Sequence, residues 1–100
     1  MEVTPWISLA PSETVLAGQW VLKNDRVTPD DVCKRIMDLT GTVLVEMDRD
    51  PSGWDVLYRD PGDGRLWELT HPQSERAGGG PPQLKVITGQ DAQRKYRASL

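Results

Sequence analysis

The 100-residue chain has no phenylalanine, a single cysteine, Cys33, and a single histidine, His71. One cysteine excludes an intrachain disulfide framework, and one cysteine with one histidine cannot complete a zinc site within one copy of the chain. No histidine stands near Cys33 in sequence to activate it, so the thiol reads as a small buried hydrophobe on a helix between Val32 and Ile36. No window approaches a membrane span, and the first residues lack the basic and apolar regions of a secretory signal, so a cytoplasmic protein is the expectation. A basic excess is also missing: 12 Lys and Arg stand against 15 Asp and Glu, a net charge of -3. The first fifty residues hold five basic and nine acidic side chains (-4), the second fifty seven and six (+1). That balance argues against binding a nucleic-acid backbone and suits a partner with a basic face.

What is present suffices for one small domain spanning residues 1–100. The apolar share is 37% and the charged share 27%, enough for a modest core under an ordinary polar surface. Residues 1–12, with Pro5 and Pro11, read as an irregular N-terminal arm pinned by Trp6 or Leu9. The aromatic content is concentrated in Trp6, Trp20, Trp54 and Trp67, against Tyr58 and Tyr96. Each indole combines a large apolar area with one N–H that wants a partner, which places such rings at a core edge or in a recognition surface.

Local patterns divide the chain. Glu13 to Leu22 reads as a strand weakened or bulged at Gly18, followed by a turn at KNDR. Thr28 as N-cap, Pro29 at the first helical position, and Asp30 and Asp31 in the first turn announce a helix, with Thr28 and Asp31 as a capping box. Val32, Ile36 and Leu39 share one face of it. Its end is open: Gly41 and the β-branched TVLVEM favour a following strand, whereas Val43 and Met47 continue the helical spacing. Residues 53–70 form a β-hairpin in which Trp54, Val56 and Tyr58 share a face and DPGDG supplies the turn. Gln83 to Ile87 is a further strand, and Thr88 with Asp91 caps a short C-terminal helix. The fold class is therefore α+β: a small antiparallel sheet with a central hairpin, packed against one main helix and a short C-terminal helix.

The motifs with chemical content are weak. Gly78, Gly79 and Gly80 precede Pro81 and Pro82, which lack the N–H donors and the helix opening that a phosphate loop needs. Asp48, Asp50 and Ser52 imitate the start of a calcium loop, but its twelfth position is Arg59. Glu68, His71, Ser74 and Glu75 lie close in sequence, and an enzyme built on Glu68, His71 and Glu75 is one alternative reading. A protein-interaction module of some other pathway is another. The stretch HPQSERAGGGPPQ reads as an ordered surface loop, because Pro–Pro is too stiff for a flexible linker.

The residues Gly53-Trp54, Leu57-Tyr58, Asp60-Pro61, Asp63-Gly64-Arg65, Trp67-Glu68-Leu69-Thr70, Pro72-Gln73-Ser74-Glu75 and Gly78-Gly79-Gly80-Pro81-Pro82 resemble the bacterial polymorphic-toxin immunity proteins of the immunity protein 27 family, over about Gly18 to Tyr96. The resemblance implies a non-catalytic protein that binds and neutralises a cognate toxin by non-covalent association, needs no cofactor, and engages neither nucleic acid nor membrane. A monomer when free, and a toxin domain with a basic surface, are the matching expectations. Relatives carry aromatic residues at the positions of Leu66 and His71 and a histidine at that of Ala77, so their absence here speaks against a histidine-based active site. Relatives also continue the helix through Gly41-Thr42, which favours one helix to about Asp48. On this resemblance the candidate partner-binding or loop-supporting residues are Trp54, Tyr58, Arg59, Asp60, Asp63, Arg65, Trp67, Glu68, His71, Gln73, Glu75 and Arg76. Tryptophans of this set suit interface anchors, and its carboxylates suit a basic toxin surface.

Overall fold

The computed structural model describes residues 8–72 and 80–96. Among these residues seven strands and two α-helices follow in the order β1 (Val15–Ala17), β2 (Trp20–Lys23), β3 (Arg26–Pro29), α1 (Asp31–Asp38), β4 (Val45–Arg49), β5 (Val56–Arg59), β6 (Leu66–Thr70), β7 (Gln83–Ile87) and α2 (Gly89–Tyr96). Five strands make an antiparallel sheet in the order β1-β7-β6-β5-β4, and β2 with β3 forms a separate hairpin. The expected α+β class is thus observed, with the β5–β6 hairpin central and paired from Val56↔Leu69 to Arg59↔Leu66.

Alternation along the strands loads both faces of this sheet. Val56, Tyr58, Trp67 and Leu84 join Leu16, Ile36, Leu39 and Leu44 in the larger cluster beneath α1. Leu57 meets Ala92 and Tyr96 of α2 on the other face, with Leu66, Ile87 and Met47 alongside. Met47 reaches that face because a β-bulge between Glu46 and Asp48 shifts the β4 register. The charged, bulged β4 is one edge of the sheet and the three-residue β1 the other, both poor templates for pairing with another chain.

Three sequence expectations are corrected. The strand expected from Glu13 to Leu22 is two strands, because the Gly18 N–H leaves the ladder to donate to Pro82 O at 2.8 Å and the chain then turns into the β2–β3 hairpin. Asn24 and Asp25, both at positive φ (52° and 63°), close that hairpin, as a two-residue turn of primed type requires. The helix does not start at Thr28 and Pro29, which stay extended in β3 with Pro29 opposite Trp20. Asp30 is the N-cap instead, and its Oδ1 accepts from the Cys33 N–H at 2.8 Å.

The single long helix to Asp48 is also overturned. α1 ends at Asp38 and runs into one π-helical turn, Leu39–Val43, closed by Leu44 N–H to Leu39 O at 2.8 Å. The wider turn inserts a residue without unburying Leu39 or Leu44, both of which stay in the core before the chain extends into β4. Propensity at Gly41 and the β-branched residues thus won over the apparent spacing of Val43 and Met47.

The N-terminal arm is irregular over the residues described, and Leu9 packs against the main core; Trp6 lies outside the described residues. Two arginines strap the arm down. Arg35 grips the Glu13 carboxylate with both terminal nitrogens, at 2.6 and 2.7 Å, and donates to Ser8 O at 2.6 Å. Arg65, just before β6, donates to Glu13 O at 2.6 Å and Ala10 O at 3.1 Å. The Arg35 hydrogen bonds hold the Glu13 carboxyl below the usual range, against an opposing effect of burial. A carboxyl lowered by folding adds stability above its unfolded value, near 4.3, that is lost as pH falls through the folded value. Glu13→Gln is therefore expected to cost about 1–3 kcal/mol at neutral pH, and the gap from the parent to close below about pH 4. Denaturant melts of both proteins across that range measure it.

Candidate functional site

The signature residues separate by position on the central hairpin. At its closed end, DPGDG is a self-contained turn: the buried Asp60 accepts from the Gly62 N–H at 2.8 Å, and Gly64, at φ +78°, donates to Asp60 O at 2.7 Å. Asp63 accepts from the Arg65 side chain at 2.5 Å and from its N–H at 2.9 Å. Arg65 in turn lies 4.9 Å from the centre of the Trp67 ring while it straps the arm. Tyr58 and Trp67 are buried in the core. Tyr58, Asp60 and Trp67 are thus buried, and Asp63 and Arg65 are hydrogen-bonded within the turn and to the arm. Arg59 is exposed on β5, at this same end.

The open end is different. Trp54 precedes β5 and His71 follows β6, and the hairpin register brings these sequence-distant residues together with ring centres 5.8 Å apart, edge to face at 76°. Trp54 is 60% exposed. Ser52, Trp54, Asp55, Thr70, His71 and Pro72 line a shallow pocket of about 350 Å³ there. The preceding turn fixes its floor: Ser52 Oγ donates to Asp50 and accepts from the Trp54 N–H at 3.1 Å, and Asp50 also accepts from the Asp55 N–H at 3.2 Å. The Ser52 hydroxyl holds the Asp50 carboxyl below its ordinary range.

Behind the pocket, α2 closes a charged network. Lys95 Nζ bridges Asp55 at 2.7 Å and Glu68 at 2.5 Å, and the Tyr96 hydroxyl donates to Glu68 at 2.6 Å. Burial pushes the Tyr96 phenol far up, and the Glu68 carboxylate it donates to adds to that. Partial burial works against the Lys95 charge, but hydrogen bonds to Asp55 and Glu68 outweigh it and the ammonium is held above its usual range.

The proposed catalytic grouping is not assembled from what is described. Glu68 is engaged by Lys95 and Tyr96, while His71 faces Trp54. Ser74, Glu75, Gln73 and Arg76 lie outside the described residues, as do Gly78 and Gly79. Among the described residues no group of three His, Cys, Asp or Glu side chains is placed to hold a metal ion. Cys33 is fully buried, its Sγ 3.5 Å from Gln19 O, and burial pushes the thiol up, away from the reactive thiolate. The end of the glycine–proline stretch is structural: Gly80 and Pro81 are buried, and Pro82 O accepts from Gly18.

A sequence comparison decides what kind of protein carries this surface. The profile of immunity protein 27 matches residues 22–88. The chain belongs to the immunity protein 27 family. No curated protein and no solved structure matches it significantly. An immunity protein 27 binds and neutralises a bacterial toxin by non-covalent association and is not an enzyme, so the reading built on Glu68, His71 and Glu75 is set aside. The match spans β3 to β7 and both ends of the central hairpin, and stops before α2, whose Lys95 and Tyr96 complete the network behind the pocket. No helix among the described residues is long and apolar enough to cross a membrane.

Proposed function

We propose that the chain neutralises its toxin from the cytoplasm, as a monomer and a single domain over residues 1–100, by covering a basic toxin surface with the open end of the β5–β6 hairpin. The observation that carries this reading is the contrast between the two hairpin tryptophans: Trp67 is fully buried, whereas Trp54 is 60% exposed at the rim of a pocket. A large aromatic held in the open by a rigid turn has little left to lose in ordering and much area to gain on binding. Beside Trp54 the pocket is lined by the partly buried Asp55 and His71, and Glu68 shares Lys95 with Asp55 behind it, so carboxylates that suit a basic partner lie next to the anchor.

Trp54→Ala is the direct test. Because the ring contributes little to the core, the variant should fold and melt like its parent. Its affinity for the cognate toxin should fall about 30-fold or more, with protection of a coexpressing cell lost in parallel. Calorimetric titration and copurification read the first result and survival the second. Unchanged affinity would move the toxin-binding surface elsewhere on the molecule.

A further inference from the structure

The pocket beside Trp54 has a chemistry narrower than a general acidic face. Its charged lining residue is Asp55, and no lysine or arginine lines it among the described residues. Lys95 is shared between Asp55 and Glu68, so a single ammonium stands against two carboxylates. In the turn beside the pocket, Asp50 adds a carboxylate through its contact with the Asp55 N–H, and Arg49, which donates to Gly53 O at 3.4 Å, is paired with Glu46. Lys85, the cross-strand neighbour of Glu68, lies one strand further from the pocket on β7. The exposed indole of Trp54 offers a ring face, and a ring face attracts cations. An anionic group entering here would meet Asp55, and an apolar one would strip water from Asp55 and Thr70 with nothing in return.

We infer, resting on the reading of this surface as the toxin-facing one, that the Trp54 pocket receives a single arginine side chain of the partner, its guanidinium stacked on the indole and hydrogen-bonded to the Asp55 carboxylate. Arginine fits better than lysine because a planar, weakly hydrated guanidinium stacks on an indole and donates sideways at the same time. Thr70 supplies a further hydroxyl in the lining for a second guanidinium N–H. A volume of about 350 Å³ lies at the small end of the range for ligand sites, which suits one side chain.

The chemistry is testable without the toxin. N-acetyl-arginine methylamide is titrated into the full chain, and the Trp54 indole N–H and His71 ring resonances are followed by NMR. N-acetyl-citrulline methylamide, its neutral isostere, and N-acetyl-glutamate methylamide serve as comparisons. Saturable shifts with affinity on the order of millimolar are expected for the arginine probe only. Asp55→Asn should weaken them about threefold to tenfold. Lys95→Met should strengthen them, because it frees negative charge at the pocket, whereas general damage to the site would weaken them. Equal binding of the citrulline probe, weaker binding by Lys95→Met, or no saturable shift overturns the inference. Those failures leave the surface reading intact if Trp54→Ala still weakens toxin binding; if it does not, the surface reading falls whatever the probe does.

Discussion

Replacing Gly18 by alanine should destabilise the protein by about 2–3 kcal/mol, although the change adds one methyl group. A Cβ at this position would stand 2.5 Å from Cys33 Sγ and 2.9 Å from Pro82 O. The sulfur belongs to a fully buried side chain and the oxygen to backbone that the Gly18 N–H itself holds at 2.8 Å, so neither yields cheaply. The glycine is therefore required by close approach, at the junction where β1, α1 and the Gly80–Pro82 segment meet. Cys33→Ala removes one of the two obstructions, and the Gly18→Ala, Cys33→Ala double variant should recover part of the loss. Urea melts of the four proteins of that cycle measure the coupling; strictly additive effects would show that the Sγ contact is not the cause.

Trp67→Ala should cost more, about 3–5 kcal/mol, which is a large part of the stability of a domain this size. The indole is fully buried at the centre of the main cluster, on the central strand of the sheet. Its loss would also remove the ring beneath the Arg65 guanidinium. Trp67→Phe should be far milder than its lost volume suggests. The Trp67 Nε1 is buried with no hydrogen-bond partner among the described residues, and removing an unsatisfied donor returns part of its desolvation cost. Thermal melts that rank Trp67→Ala well below Trp67→Phe, with Trp54→Ala at the level of the parent, would separate the structural tryptophan from the displayed one. A Trp67→Phe loss as large as that of Trp67→Ala would contradict the packing described.

The difference between those two tryptophans was only partly legible in the sequence. Alternation along β6 puts Trp67 and Leu69 on the main-core face and Leu66 on the other, and the register of the β5–β6 hairpin brings Trp54 to His71. Period two also grouped Trp54 with Val56 and Tyr58, but the strand begins at Val56, and a residue outside the ladder need not follow its alternation. Turn chemistry read well wherever it was purely local, as at DPGDG and at the Thr88 cap, where Thr88 Oγ1 accepts from the Asp91 N–H at 3.1 Å. It misled at TPDD, where two valid caps lie two residues apart and pairing of Pro29 with Trp20 selects the second. The roles of Arg35 and Arg65 were beyond local reading. Their partners in the arm lie 22 to 55 residues away, and spacing holds no trace of such contacts.

An immunity protein of this family acts by holding its toxin, so the stoichiometry of protection measures the central claim most directly. The cognate toxin is titrated with the purified chain while its activity and the intact masses of both proteins are followed. Activity should fall linearly to an end point at one equivalent, with both masses unchanged and toxin activity restored when the proteins are separated. Full protection at a small fraction of an equivalent, or a toxin of altered mass, would contradict neutralisation by non-covalent association.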